Sequence, residues 1–161
     1  MRFTISSTAL SSRLLSLSRV INSKNTLPIL ECFLFEVHDG QLTITASDSE
    51  NVMQTTLNLE GSEGEGTFAV NNHTILDAVK ELPEQPLNVD VNLGEFKIYI
   101  TYQNGSYNFP ILNAEEYPKT QPIASDATSI TIGSGILADN ITRSIFATAQ
   151  DELRPVMNGI F

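Results

Sequence analysis

The stretch Thr26-Leu27-Pro28-Ile29-Leu30, with the apolar run Cys32-Phe33-Leu34-Phe35 behind it, occurs twice in this chain in altered form. Shifted by 127 residues, Leu27-Pro28-Ile29-Leu30 falls on Arg154-Pro155-Val156-Met157, and Phe33 and Leu34 fall on Ile160 and Phe161. At the same offset Phe3 and Ile5 land on Ile130 and Ile132, Leu10 on Leu137, and Leu14 on Ile141, with no gap. An alternating strand, a helical stripe and a proline before a strand therefore recur as one unit, the mark of a structural repeat. The second copy reaches Phe161 partway through an expected strand. The sequence thus reads as a complete domain over 1–121, a linker over 122–128, and the incomplete beginning of a second domain over 129–161.

Working outward, Phe3-Thr4-Ile5 alternates as a short strand, and Ser6 or Ser7 is placed to cap the next helix. Leu10, Leu14, Leu17 and Ile21 form its apolar stripe, with Arg13 and Arg19 off that stripe. Asn22 to Asn25 reads as a loop, Pro28 blocks a restarting helix, and Leu30 to Val37 reads as a strand. Asp39-Gly40 signals a tight turn before strands at Leu42–Thr45 and Val52–Leu57. Glu60 to Gly66 reads as a loop. The order then repeats: strand Thr67–Val70, a helix capped by Asn71 or Asn72 with Ile75, Leu76, Val79 and Leu82 as its stripe, strands Leu87–Val91 and Phe96–Ile100, a turn at Asn104-Gly105, and strand Tyr107–Ile111. The expected fold is α+β, built from two similar halves of one helix and about four strands each. Its expected core sets Leu10, Leu14, Leu17, Ile75, Leu76 and Val79 against Ile29, Phe33, Phe35, Ile44, Val89 and Ile98. In the second copy, a strand at Ser129–Ile132, a helix from Ile136 to Thr148 with Leu137, Ile141, Ile145 and Thr148 facing inward, and a strand from Arg154 are expected.

Charge is unevenly spread. The net charge is −10, yet residues 1–30 hold four bases and no acid, whereas residues 31–67 hold eight acids and no base. One face can attract phosphate while the rest repels it. Arg13, His73, Lys80 and Arg143 lie on or beside helices in equivalent places of successive half-repeats, and Lys24 lies in the loop before Thr26. Together they predict a weakly basic lining that contacts phosphates without reading sequence. Catalytic signatures are missing: there is no HExxH, CxxC, GxSxG or phosphate-binding glycine loop, and His38 and His73 lie far apart in the chain. Asp48 and Glu50 read as turn chemistry rather than a metal pair. The single cysteine, Cys32, sits in an apolar run and reads as a small buried hydrophobe. One cysteine, no apolar run of membrane-spanning length and no signal-type N-terminus suggest a reducing, cytoplasmic setting. No cofactor is expected.

In these residues the chain resembles the bacterial DNA polymerase III beta sliding clamp family. The resemblance rests on Met1-Arg2-Phe3-Thr4-Ile5, Thr26-Leu27-Pro28-Ile29-Leu30, Leu42-Thr43-Ile44-Thr45-Ala46-Ser47-Asp48-Ser49-Glu50, Phe68-Ala69-Val70, Leu82-Pro83, Ala114-Glu115-Glu116-Tyr117-Pro118 and Arg154-Pro155-Val156-Met157-Asn158-Gly159, in that order. It implies a three-domain subunit, two of which close head-to-tail into a homodimeric ring around double-stranded DNA, and a non-catalytic processivity factor that tethers the replicative polymerase. It also implies that Lys24 and Gln150 contact DNA, that His73 falls where the family can place an arginine near DNA, and that contacts continue onto Pro155 and Val156. Arg154, Val156 and Met157 would fall in the wall of the cleft where polymerase and clamp-loader subunits dock, a cleft that also needs the third domain. Two readings stand beside it: a protein-interaction module of the same fold without DNA binding, and an enzyme using Asp48 and Glu50.

Overall fold

The computed structural model describes residues 1–21, 27–118, 124–149 and 153–161. They form two units, Met1–Thr120 and Gln121–Phe161.

The first unit runs β1 (Arg2–Ser6), α1 (Ser7–Leu17), a 3-10 turn (Pro28–Glu31), β2 (Cys32–His38), β3 (Gln41–Ser47), β4 (Val52–Asn58), β5 (Gly61–Glu63), β6 (Gly66–Asn71), α2 (Asn72–Val79), β7 (Pro86–Asn92), β8 (Lys97–Tyr102), β9 (Gly105–Pro110) and a 3-10 turn (Ala114–Glu116). Two antiparallel sheets form, ordered β5-β1-β7-β8-β9 and β4-β3-β2-β6. The halves expected from sequence are present, but each gives its first strand to the other's sheet. β1 pairs with β7 of the second half, Phe3 opposite Val89, and β6 pairs with β2 of the first, Phe35 opposite Phe68. Neither half closes a sheet by itself, so the unit folds as one body.

The helices reinforce this exchange. Ser6 caps α1 by accepting from the Ala9 N–H at 3.1 Å, and Asn71 caps α2 by accepting from the Thr74 N–H at 3.1 Å. The next residue of each helix is a buried polar group that reaches into the opposite half. Ser7 Oγ donates to the Pro83 carbonyl at 2.8 Å, and Asn72 Nδ2 donates to the Glu31 carbonyl at 2.7 Å. Both bonds satisfy groups that would be costly to bury alone. Leu10, Leu14 and Leu17 of α1 and Ile75 and Val79 of α2 then bury in one core with the sheets.

Several expected elements are corrected. Ile21 and Leu82 lie beyond the ends of α1 and α2 and are only partly buried against the core, as is Leu76. The strand expected from Leu30 begins at Cys32, because Pro28, with its fixed φ, opens a 3-10 turn instead. Ile29 consequently leaves the main core for a satellite cluster with Leu30, Cys32, Ala69 and Tyr117. The loop at 60–66 contains β5, a strand without an apolar pattern that exists because Gly61–Glu63 pairs along β1. The last hairpin turns at Gln103-Asn104, with Tyr102 opposite Gly105. The Asp39-Gly40 turn holds, both residues having positive φ, 49° and 71°.

In the second unit α3 spans Ser134–Ser144, with 3-10 turns at Ile145–Ala147 and Pro155–Asn158. The 127-residue repeat is kept residue for residue: α3 is α1 shifted by that offset, and Pro155–Asn158 is Pro28–Glu31 shifted likewise. Even a backbone bond recurs, Leu30 N–H to Leu27 O at 3.0 Å and Met157 N–H to Arg154 O at 2.9 Å. The strands expected at Ser129–Ile132 and from Arg154 are absent among the described residues, since alternation forms a strand only where a neighbour pairs with it. Leu137, Ile141 and Ile145 are exposed rather than inward, and Thr148 is half-buried.

Candidate nucleic-acid interface

Arg13 lies on α1, exposed, away from the buried stripe of Leu10, Leu14 and Leu17, which leaves its guanidinium in solvent. Arg19 follows the helix and is also exposed. Lys24 lies outside the described residues. Position for position, the buried residues Ser7, Leu10 and Leu14 of α1 correspond to Asn72, Ile75 and Val79 of α2. His73 and Lys80 therefore take the places of Thr8 and Leu15, both off the buried stripe.

The α2 face is not the free basic surface expected from its sequence. Lys80 Nζ sits 2.7 Å from Asp77 Oδ1, three residues earlier on the helix. That hydrogen bond, with the attraction of the two charges, raises the Lys80 pKa and lowers that of Asp77. His73, four residues before Asp77, adds a smaller pull in the same direction on the carboxyl. The face thus carries a compensated pair, and a phosphate approaching Lys80 must compete with Asp77.

In the second unit Arg143 is exposed in the last turn of α3. Under the repeat it corresponds to Ser16, one helical turn beyond Arg13 and on the same face. Gln150 lies outside the described residues. Arg154, Pro155, Val156 and Met157 are exposed around the terminal 3-10 turn. Val156 and Met157 are 83% and 49% exposed, whereas their counterparts Ile29 and Leu30 are 6% and 0%. Of the sequence-derived positions, the structure brings Arg154, Pro155, Val156 and Met157 together, and places Arg13 on α1, His73 on α2 and Lys80 just past the end of α2.

The Asp48–Glu50 pair is turn chemistry. Asp48 Oδ1 accepts from the Asn51 N–H at 2.7 Å and the Glu50 N–H at 3.1 Å. These bonds, that from Asn51 foremost, lower the Asp48 pKa. A grouping not seen in the sequence joins His38, Asp39 and Glu65, with potential metal-ligand atoms within 4.8 Å of one another. The His38 ring already engages both carboxylates, Nδ1 to Glu65 at 2.8 Å and Nε2 to Asp39 at 3.2 Å. Glu65 Oε1 also accepts from the Asp39 N–H at 3.1 Å. These bonds tie the β2–β3 turn to the segment before β6. Only the adjacency of His38 and Asp39 was visible beforehand. No helix is long and apolar enough to cross a membrane among the described residues.

Known proteins match the two-sheet unit, and nearly the whole chain. Residues 1–121 match the DNA polymerase III beta subunit, N-terminal domain. A beta sliding clamp from Buchnera aphidicola is 26% identical over 160 residues, which cover 99% of this chain and 43% of the relative. The crystal structure of the DNA polymerase III subunit beta from Pseudomonas aeruginosa matches with a TM-score of 0.89 and 28% identity, over 99% of this chain and 43% of that one. The Helicobacter pylori beta clamp, solved bound to a DNA ligase peptide, shares the fold with a TM-score of 0.83 at 22% identity, over 94% of this chain and 41% of that one. The chain spans less than half the length of these relatives. With the family domain matched over three quarters of its residues, this chain belongs to the DNA polymerase III beta subunit family.

Proposed function

We propose that this chain serves a DNA replication processivity factor, a non-catalytic sliding clamp that encircles duplex DNA and tethers the replicative polymerase. The observation that carries this reading is the 28% identity and TM-score of 0.89 to the Pseudomonas aeruginosa subunit over nearly the whole chain. A ring holds DNA by topology, so its contacts can be weak, and weak contacts permit sliding. Few exposed bases on helices, in a body of net charge −10, suit that requirement. In this reading residues 1–121 are the first clamp domain, 122–128 a linker and 129–161 the opening of a second domain. Arg13, Lys24 and Arg143 supply phosphate contacts, with His73, Lys80, Gln150, Pro155 and Val156 nearby. Arg154, Val156 and Met157 contribute to a cleft for polymerase and clamp-loader peptides, and head-to-tail pairing with a second copy closes the ring. The polymerase activity belongs to a partner in the bacterial cytoplasm.

The test is fluorescence anisotropy of a short labelled duplex titrated with the 161-residue chain at low and rising salt. Because the contacts proposed for Arg13, Lys24 and Arg143 are to phosphates and few in number, affinity should be weak. It should fall with log salt at a slope of roughly −0.9 per phosphate engaged, and drop about tenfold in an Arg13→Glu, Lys24→Glu variant that melts normally. Binding that ignores salt, or an unchanged affinity in that variant, would favour the interaction module without DNA.

A further inference from the structure

The outward face of the β4-β3-β2-β6 sheet carries a hollow of about 440 Å³ that the DNA reading does not use. Its floor follows from the alternation of the strands. Phe33, Phe35 and Val37 of β2 point into the main core, so Leu34 and Glu36 point out. Leu34 lies opposite Thr45, and Thr45 opposite Gln54. One wall is the segment after β9. It is pinned to the edge of β6 by paired backbone bonds between Ala69 and Leu112, at 2.8 and 3.1 Å, and it carries Glu115 and Tyr117 over the sheet. Tyr117 anchors that wall in the satellite cluster with Ile29, Leu30, Cys32 and Ala69.

The polar groups here are unusual in what they lack. Tyr117 is 4% exposed, and its buried hydroxyl has no hydrogen-bond partner. Burial pushes that phenol up to about 12, against an opposing pull from the Ser47 backbone N–H, so the group is neutral. Among the described residues the Glu36 carboxylate has no ion-pair or hydrogen-bond partner, and the Glu115 carboxylate accepts from Asn113 Nδ2 alone, at 3.2 Å. Thr45, buried, accepts from Gln54 Nε2 at 3.1 Å and keeps acceptor capacity. The segment 31–67, which supplies most of the floor, has eight acids and no base. The hollow is therefore rich in acceptors and negative charge, with Leu34 and Val52 offering apolar surface beside them.

We propose that this hollow docks a lysine side chain presented by a partner protein. An ammonium brings three donors and no acceptor, matching a mixed set of carboxylate and hydroxyl oxygens. Its four-carbon stem suits the apolar strip, whereas an arginine fork favours a bidentate carboxylate. The charge complementarity needed for recognition is set by the acidic face itself. This docking is separate from the proposed DNA contacts, since Glu36 lies on the sheet face and Glu115 on the 3-10 turn laid over it, whereas Arg13 lies on α1.

The test uses Nα-acetyl-lysine amide as probe and Nα-acetyl-norleucine amide as its uncharged counterpart, followed by amide chemical shifts of the 161-residue chain. Lys119, whose placement lies outside the described residues, is neutralised in a parallel Lys119→Met sample so that a neighbouring cation cannot mask the hollow. The lysine probe should shift Glu36, Thr45 and Thr67, in at least one of the two samples, with a dissociation constant on the order of millimolar and at least about fivefold tighter than the norleucine probe. The preference should vanish in a Glu36→Gln, Glu115→Gln variant. Equal binding of both probes, a preference that survives the double variant, or no shift in either sample overturns the proposal.

Discussion

Helices α1 and α3 are the same element met twice, and they differ in almost everything except being helices. Each spans eleven residues and is followed at the same distance by a proline-led 3-10 turn. Leu10 and Leu14 are 1% and 0% exposed, while Leu137 and Ile141, their counterparts, are 44% and 40% exposed. Helix formation thus follows from local pattern, and burial from what lies across the stripe. For α1 that is α2 and the strands around it, brought there by the exchange of β1 and β6 between sheets. Most helical stability comes from such packing rather than propensity, so the two copies should respond very differently to the same perturbation.

The widest contrast should appear in thiol chemistry. Cys32 is 2% exposed, and desolvation, followed by the charge of Glu31, pushes its thiol up to about 11. It should react with a disulfide reagent at pH 8 only when the first unit opens. A cysteine placed on the other copy, Leu137→Cys, should react more than about 100-fold faster, because only an exposed thiol yields thiolate accessible to the reagent. Two thiols labelled at one rate would mean that the copies do not differ in protection.

Next in size is core truncation. Leu14→Ala should cost about 2–5 kcal/mol, as buried leucines do, whereas Ile141→Ala should stay within about 0.5 kcal/mol, as exposed sites do. Urea melts of the 161-residue chain followed by near-ultraviolet signal measure both. Equal losses would place the α3 stripe in a core as well.

A smaller difference lies at the helix starts. Ser6 caps α1, but Gly133 precedes α3 with no side-chain cap. Ser6→Ala should cost about 0.5–2 kcal/mol, while Gly133→Ser should gain no more than a few tenths. Circular dichroism during urea unfolding reads both changes. A large gain from Gly133→Ser would show that α3 is limited by its cap rather than by its uncovered face.

The same contrast explains what the sequence could reveal. Features set within one element were partly legible: the 127-residue offset related the two helices, and the caps were narrowed to Ser6 or Ser7 and Asn71 or Asn72, whereas 3-10 turns stand at Pro28–Glu31 and Pro155–Asn158 beside or in place of the expected strands. Features set by a partner were not. Gly61–Glu63 has no strand pattern and becomes β5 only because β1 is beside it, whereas Ile130 and Ile132 alternate well and form no strand. The exchange of first strands between halves leaves no local trace, since each strand is equally apolar in either sheet. The Lys80–Asp77 pair was within reach of helical spacing, and it changes the picture of the α2 face from basic to compensated. Glu36 and Tyr117 come together only because the Ala69–Leu112 contact folds the segment after β9 over the sheet.

The smallest effect concerns a tie that the first unit has across distant segments, the His38 bridge between the β2–β3 turn and Glu65. The hydrogen bond to Glu65, then the charges of Asp39 and Glu65, raise the His38 pKa above 6.5. Its contribution is full below 6.5 and is lost as pH rises through the raised folded value. Glu65 is lowered below 4.5 by the Asp39 backbone N–H first and His38 second, so its contribution is present above 4.5 and is lost as pH falls through the lowered value. The two windows overlap between 4.5 and 6.5. The Tm difference between the chain and His38→Ala should therefore be greatest there and shrink on both sides, while staying small because the groups are exposed and screened. Helical signal from α3 should not follow that profile. A His38→Ala difference that is flat from pH 4 to 9 would mean the bridge adds nothing to closing the first unit, leaving strand exchange and the buried leucines as what separates the two copies.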